Sequence, residues 1–183
     1  SQKNGFGIHV FISKVNRLML ENKQQHYAQL AQQVEAIVAG EQDLIANMAN
    51  ISAILYWALE NVNWAGFYLV KDQQLVLGPF HGQPACIRIP IGKGVCGTAV
   101  SENSIQLIED VHQFSGHIAC DAASNSEIVL PIRQNNHVIA VLDIDSPDIA
   151  RFDHDDKSGL SQIVEILQAT LHHVGEFELR SAW

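Results

Sequence analysis

A chain of 183 residues is long enough for one domain with a sizeable core, and its 47% apolar and 17% charged residues are typical of a globular protein. The formal net charge of -9, without a cluster of lysine or arginine, repels phosphate and argues against nucleic acid as a partner. No apolar run is long enough to span a membrane, so we expect no membrane association.

The chain contains three cysteines, Cys86, Cys96 and Cys120. They lack the close spacing of a metal site and follow no recognisable signal peptide. Such cysteines are typical of reduced thiols in the cytoplasm. We therefore expect a cytoplasmic protein with no metal ligand set and no cofactor.

The first part of the chain divides at about residue 18. Residues 1–18 show little helical or strand periodicity, and the stretch after them resembles a natural protein start. We predict an N-terminal extension at 1–18, disordered or derived from a tag, and one domain at 19–183. Apolar residues spaced three and four apart then predict helices over 21–39 and 44–60, which are expected to pack as neighbours.

Strand signals dominate the middle of the chain. We predict strands at 63–70, 74–80, 85–89, 105–108, 127–132 and 137–146. Lys71, Asp72 and Gln73 form a hairpin turn between the first two strands, so the sheet should begin antiparallel. A last helix, capped by Asp153, closes the chain. This order predicts an α+β fold in which a central antiparallel sheet of about six strands is flanked by helices from both chain ends.

Side-chain alternation places polar and aromatic groups on defined faces of two strands. Trp64 and Tyr68 share a face with Gly66 between them, so they either wall a gap or fill core. In the last strand, Val138, Ala140, Leu142 and Ile144 are expected on one face, with Ile139, Val141, Asp143 and Asp145 on the other. Because aspartate is depleted in strands, this carboxylate pair indicates a cation site or an edge near solvent.

Residues 92–97 match the GxGxxG pattern of dinucleotide-binding turns. The match fails in context, because only a short helix over about 95–101 follows and the long crossover helix is missing. We predict a glycine-rich turn that places Cys96 near backbone amides.

Cys120 lies in a polar loop, 117–127, three residues after His117. It is either a buried thiol that packs like a small apolar side chain or a thiolate nucleophile, and the other two cysteines could attack a sulfenic acid formed on it. Glu127, Asp143 and Asp145 could converge on one pocket, where crowding keeps one of them protonated and the others hold an ammonium group. This set suits a small amino acid with a reducible sulfur.

Four segments of the chain resemble the free methionine-(R)-sulfoxide reductases, enzymes built on a GAF domain: NWAGFYLV, LGPFHGQPACIRIPIGKGVCGTAV, EDVHQFSGHIACDAASNSEIVLPI and VLDIDS. The resemblance spans about residues 20–175 and includes all three cysteines in order. It implies that Cys120 attacks the sulfoxide sulfur, that Cys86 is the resolving thiol with Cys96 as a second candidate, and that thioredoxin restores the thiols.

The same resemblance implies a substrate site. The residues expected to bind free methionine-(R)-sulfoxide and polarise its oxygen are Glu127, Asp143 and Asp145, with Trp64 and Tyr68 around the methyl group. Glu127 and Asp145 are the expected proton donors. A homodimer is left open. The chain departs from the family pattern at His81, where glutamine is expected, and this change could alter the pocket rim.

Two rival functions belong to other classes of protein. A GAF domain can bind a small ligand as a sensing module without catalysis, although a sensor has no evident need for three thiols. A metalloenzyme could use His112, His117 and Cys120 with an aspartate, although no second close ligand pair is present.

Overall fold

The computed structural model describes residues 5–118 and 123–171, with side chains from Asn22 onward. The helices of this part of the chain are α1 (Gly5–Val38), α2 (Leu44–Ala58), α3 (Gly94–Glu102) and α4 (His154–Thr170). The strands are β1 (Trp64–Lys71), β2 (Gln74–Gly82), β3 (Arg88–Pro90), β4 (Gln106–Ile108), β5 (Ser126–Gln134) and β6 (His137–Ser146). This order confirms the predicted α+β class.

The strands form one six-stranded sheet in the order β3-β2-β1-β6-β5-β4. Every neighbouring pair in it is antiparallel. The predicted hairpin turn is confirmed, because Asp72 and Gln73 connect β1 to β2 with φ values of 48° and 62°. Two positive φ values in a row are typical of the tight turn that matches strand twist.

The two faces of the sheet bury different side chains. One face packs under α1, α2 and α4 and receives Ala65, Phe67 and Leu69 from β1. The opposite face packs against α3 and receives Trp64 and Tyr68. The predicted alternation along β1 is therefore confirmed, and the aromatic face is the one that borders the short helix.

The predicted alternation along β6 is right at Ala140, Leu142 and Ile144 but wrong at Val138. In the pairing of β6 with β5, Ile132 lies opposite Ala140 whereas Arg133 lies opposite Val138, so Ile139 is an extra residue in β6. Such a β-bulge reverses the facing of the side chains beyond it. Val138 consequently packs on the α3 side, with Ile139 on the other.

The helices differ from the prediction mainly at the start of the chain. Helix α1 begins at Gly5 rather than near residue 21, so the backbone of residues 5–18 is helical. The assignment of residues 1–18 as an added extension stays a prediction. Asp153 caps α4 as predicted, and Asp156 completes a reciprocal capping box. Among the helices described, none combines the length and the apolar character that crossing a membrane requires.

Candidate active site

A cavity lies between the aromatic face of the sheet and α3. The acidic and aromatic residues expected at the substrate site line it: Trp64 and Tyr68 from β1, Glu127 from β5, and Asp143 and Asp145 from β6. His117 and Ile118 border it from the loop that follows β4. The predicted convergence of the acidic and aromatic residues is therefore seen in the structure.

Strand pairing explains why three carboxyl groups meet here. Glu127 lies directly opposite Asp145 in the β5–β6 pair, and Asp143 lies opposite Gly66 in the β1–β6 pair. Facing residues in neighbouring strands point to the same side of a sheet. A Cβ atom on Gly66 would lie 2.3 Å from the Phe80 Cβ, so glycine here lets β2 pack closely against β1.

Aromatic rings form one wall of the cavity. The rings of Trp64 and Tyr68 are stacked with centroids 5.9 Å apart, and the Phe80 ring also stacks with Trp64, at 5.2 Å. The Trp64 indole N–H donates to the carbonyl of Gln83 at 3.1 Å. The Tyr68 hydroxyl donates to the carbonyl of Cys86 at 2.9 Å. Tyr68 thus connects the cavity wall to the backbone of a cysteine.

The glycine-rich turn places the second cysteine, Cys96, at the inner end of the cavity. Gly92 and Gly94 adopt positive φ values of 83° and 62°, and α3 starts at Gly94. Cys96 in the first turn of α3 is buried, and its thiol lies 3.9 Å from Glu127 Oε1, to which it donates. The predicted glycine-rich turn before a short helix is therefore present, and Cys96 lies in that helix.

Burial governs the protonation of these groups. It raises the pKa of Glu127 well above its usual range, and the charges of Asp143 and Asp145 add to the effect. Burial also raises the pKa of Asp143, to about 6. The Cys96 thiol has a pKa well above its ordinary value, first because of burial and then because of the neighbouring carboxylates. Burial therefore favours the neutral form of each of these three groups.

The two cysteines that the structure describes differ in state. Cys86 is disulfide-bonded, whereas Cys96 carries a free thiol. Cys120, the predicted nucleophile, lies outside the described residues, which resume at Ala123. His117 is close to this gap, and burial followed by the charge of His112 lowers its pKa.

Other residues of interest lie at the edges of the site. Ser124 lines the cavity and accepts a hydrogen bond from the Asn63 amide at 3.2 Å; no motif in the sequence predicts either residue. His81 packs its ring 5.8 Å from that of Tyr56 and is not among the described residues that line the cavity. His112 Nε2 lies 3.0 Å from Asn125 Oδ1.

Comparison with known proteins identifies the class to which this architecture belongs. The profile of the GAF domain family matches residues 46–172. The free methionine-R-sulfoxide reductase of Escherichia coli (strain K12) is 57% identical over 150 residues, which cover 82% of this chain and 91% of the relative.

Solved structures agree with the sequence comparison. The reduced form of fRMsr of Staphylococcus aureus matches with a TM-score of 0.78 and 53% identity over 79% of this chain and 94% of that one. A free methionine-R-sulfoxide reductase from Neisseria meningitidis, in complex with its substrate, matches with a TM-score of 0.77 and 42% identity over 80% and 88% of the two chains. The chain belongs to the free methionine-R-sulfoxide reductases, a family built on the GAF domain.

Proposed function

We propose that this protein reduces free L-methionine-(R)-S-oxide to L-methionine, using thiols as the electron source. The observation that supports it most is one cavity with three carboxyl groups and two stacked aromatic rings, one of which, Tyr68, donates to the backbone of the disulfide-bonded Cys86. The relatives named above, one of them with its substrate bound, support the same activity.

The cavity is suited to a free amino acid with a polar sulfur group. Asp143 is buried and its Oδ1 accepts no hydrogen bond within the described part of the chain, so an ammonium group would supply the missing donor. Trp64 and Tyr68 would contact the methyl group on sulfur. Of the carboxyl groups, Glu127 is suited to remain protonated and to donate to the sulfoxide oxygen, with Asp145 as its strand partner.

The chemistry then needs two thiols. The Cys120 thiolate attacks the sulfoxide sulfur, the protonated oxygen is transferred to Cys120 as a sulfenic acid, and methionine leaves. The Cys86 thiolate attacks the Cys120 sulfur and releases water, which leaves a disulfide. The disulfide-bonded state of Cys86 and the free, buried state of Cys96 support Cys86 as the resolving thiol.

Each turnover consumes two electrons, so the disulfide must be reduced before the next one. Thioredoxin is the reductant that we propose, and a reducing compartment such as the cytoplasm follows from this requirement. A homodimer stays a prediction, which light scattering of the purified protein would test.

The first experiment measures methionine release from free methionine-(R)-sulfoxide with thioredoxin, thioredoxin reductase and NADPH. We expect sustained turnover by the wild type and none by Cys120→Ser, since a serine hydroxyl cannot form the sulfenic acid. Binding of the sulfoxide without turnover in the wild type would instead favour a sensing module, and full activity of Cys120→Ser would refute the proposed mechanism.

The second experiment tests recognition of the ammonium group. N-acetyl-methionine-(R)-sulfoxide lacks that charge, so a buried carboxylate would be left unpaired in its complex. We expect kcat/KM for this analogue to be lower by about a thousandfold or more than for the free amino acid. Equal kcat/KM values for the two compounds would show that the carboxyl groups do not recognise the ammonium.

A further inference from the structure

Three potential metal ligands meet in the depth of the cavity. The Cys96 sulfur and one carboxylate oxygen each from Glu127 and Asp143 all lie within 4.8 Å of one another. They come from three different elements, α3, β5 and β6. Their side chains are between 3% and 7% exposed, so water contributes little to their solvation.

A second observation indicates that the cavity binds a positively charged ligand. Asp143 is 5% exposed, lines the cavity, and has an Oδ1 atom without any hydrogen-bond partner in the described chain. The described cavity lining also contains no lysine or arginine that could balance the three carboxyl groups. A buried carboxylate oxygen without a donor is costly and is normally paired or bound to a metal.

The donor set indicates which cations would suit the site. A thiolate with two carboxylates favours a borderline ion such as Zn²⁺ over Mg²⁺ or Ca²⁺, which prefer oxygen ligands alone. In tetrahedral zinc sites, bond lengths of about 2.3 Å to sulfur and about 2.0 Å to oxygen place these two ligands roughly 3.5 Å apart. The observed distance from Cys96 Sγ to Glu127 Oε1 is 3.9 Å, so a small movement would bring this pair of ligands to that separation.

We propose that Cys96, Glu127 and Asp143 form a binding site for Zn²⁺-like divalent cations, with the fourth position open to the substrate cavity. Binding releases the proton of the thiol, and that of any protonated carboxyl group, to solvent. Because Asp143 and Glu127 would be occupied, the cation and methionine sulfoxide should exclude each other. Metal binding stands independently of the proposed reductase activity, whereas the competition rests on it.

The test uses a protein with a single thiol. In Cys86→Ser/Cys120→Ser, Cys96 is the one cysteine left in the sequence, so a thiolate-to-cobalt charge-transfer band on addition of Co²⁺ must come from it. We expect a band that saturates at about one Co²⁺ per chain, is displaced by Zn²⁺ and is unaffected by excess Mg²⁺. No saturable band, or displacement by Mg²⁺ as effective as that by Zn²⁺, would overturn the proposed site.

Two further variants, made in the same background, locate the oxygen ligands. Glu127→Gln and Asp143→Asn keep the thiol and should each weaken Zn²⁺ binding by about tenfold or more in calorimetry. Asp148→Asn is the matched control, because Asp148 is exposed and follows the end of β6. This variant should bind Zn²⁺ like its parent. Unchanged Zn²⁺ affinity in both cavity variants would refute the carboxylate ligands, even if Cys96 binds metal.

Competition is measured in the same background by titrating methionine-(R)-sulfoxide with and without saturating Zn²⁺. We expect Zn²⁺ to weaken the apparent sulfoxide affinity by about tenfold or more. Equal affinities would show that the cation and the sulfoxide do not share Asp143 and Glu127, and would overturn the predicted competition. Zn²⁺ binding by a protein that never binds the sulfoxide would count against the proposed function and leave the metal site intact.

Discussion

The buried carboxyl group of Asp143 contributes to the candidate site but lowers the stability of the fold. It lies in β6 opposite Gly66 of β1 and is 5% exposed. Burial raises its pKa to about 6. Near neutral pH the native state therefore carries a buried carboxylate charge, whereas in the unfolded chain the same charge is hydrated. Asp143 therefore lowers the free energy of unfolding near neutral pH, although it provides the charge that a positive ligand would bind.

Replacing Asp143 by asparagine should stabilise the protein increasingly as pH rises. A raised pKa in the folded state favours the native protein at low pH, and this contribution is lost as pH rises through the folded pKa of about 6. The stability gain of Asp143→Asn over wild type should grow by about 1 kcal/mol between pH 5 and pH 8. Urea unfolding of both proteins in metal-free buffer measures it.

Asp148→Asn is the control for this prediction, since Asp148 is exposed. Its stability difference from wild type should show little change over the same pH range. A gain for Asp143→Asn that stays constant or shrinks with pH would show that the Asp143 carboxyl is not held at a raised pKa.

The Cys86→Ser and Cys96→Ser variants should behave differently in an assay of repeated turnover. Cys86→Ser should release about one methionine per chain and then stall with thioredoxin, because the first step survives and the disulfide cannot form. Cys96→Ser should continue to cycle, since its thiol is buried and protonated. The comparison of burst size and steady-state rate measures this, and the opposite pattern would make Cys96 the resolving thiol.

At the scale of elements, the short helix α3 determines how deep the cavity is. Its position depends on close contact with the preceding turn: the Gly92 N–H donates to the Gly97 carbonyl at 2.9 Å. A Cβ atom on Gly97 would lie 2.5 Å from the Pro90 carbonyl oxygen and 3.1 Å from the Gly92 nitrogen. Only glycine allows this approach without movement of the backbone.

Gly97→Ala should therefore displace α3 and with it Cys96. We expect a loss of about 1 to 3 kcal/mol in the free energy of unfolding and a raised KM for methionine sulfoxide. Ser101→Ala, an exposed change in the same helix, is the control and should alter neither quantity much. Wild-type stability and KM in Gly97→Ala would show that α3 tolerates the extra methyl group in place.

At the scale of the whole molecule, one buried carboxylate connects the two terminal parts of the fold. Asp156 of α4 is fully buried and is contacted by Lys23 Nζ at 2.6 Å, by the Tyr27 hydroxyl at 2.6 Å and by Arg151 at 3.2 Å. Arg151 also donates to the carbonyl of Glu60 at 2.8 Å, just after α2. The cluster therefore joins α1, α4 and the entry to β1 on the side of the sheet away from the cavity.

Asp156→Ala should be among the most destabilising single changes in the protein. It leaves two cations and a buried hydroxyl without their shared acceptor, so we expect a loss of about 3 to 5 kcal/mol in the free energy of unfolding. Asp155→Ala, at a half-buried position in the same helical turn, is the control and should cost much less, because its carboxylate accepts an exposed hydrogen bond from Gln24. Urea denaturation measures both, and similar losses in the two variants would contradict the stabilising role of the cluster.

Much of the fold follows from local patterns. The two-residue alternation along β1 was sufficient to separate Trp64 and Tyr68 from Ala65 and Phe67, because a strand imposes that period on its side chains. The same rule predicted Asp143 and Asp145 on one face. It failed at Val138, because a bulge depends on how two strands pair and leaves no mark in either strand alone.

The sequence by itself determined the class of fold, the faces of the strands and the residue types available for chemistry, since these depend on periodicity and turn chemistry over a few residues. The tertiary structure decided that Cys96, Glu127 and Asp143 meet, and that Cys86 rather than Cys96 is disulfide-bonded. It also decided how strongly each acid is buried, and therefore its pKa. These properties arise where α3 packs on paired strands, and such contacts join residues far apart in the chain that no local pattern relates.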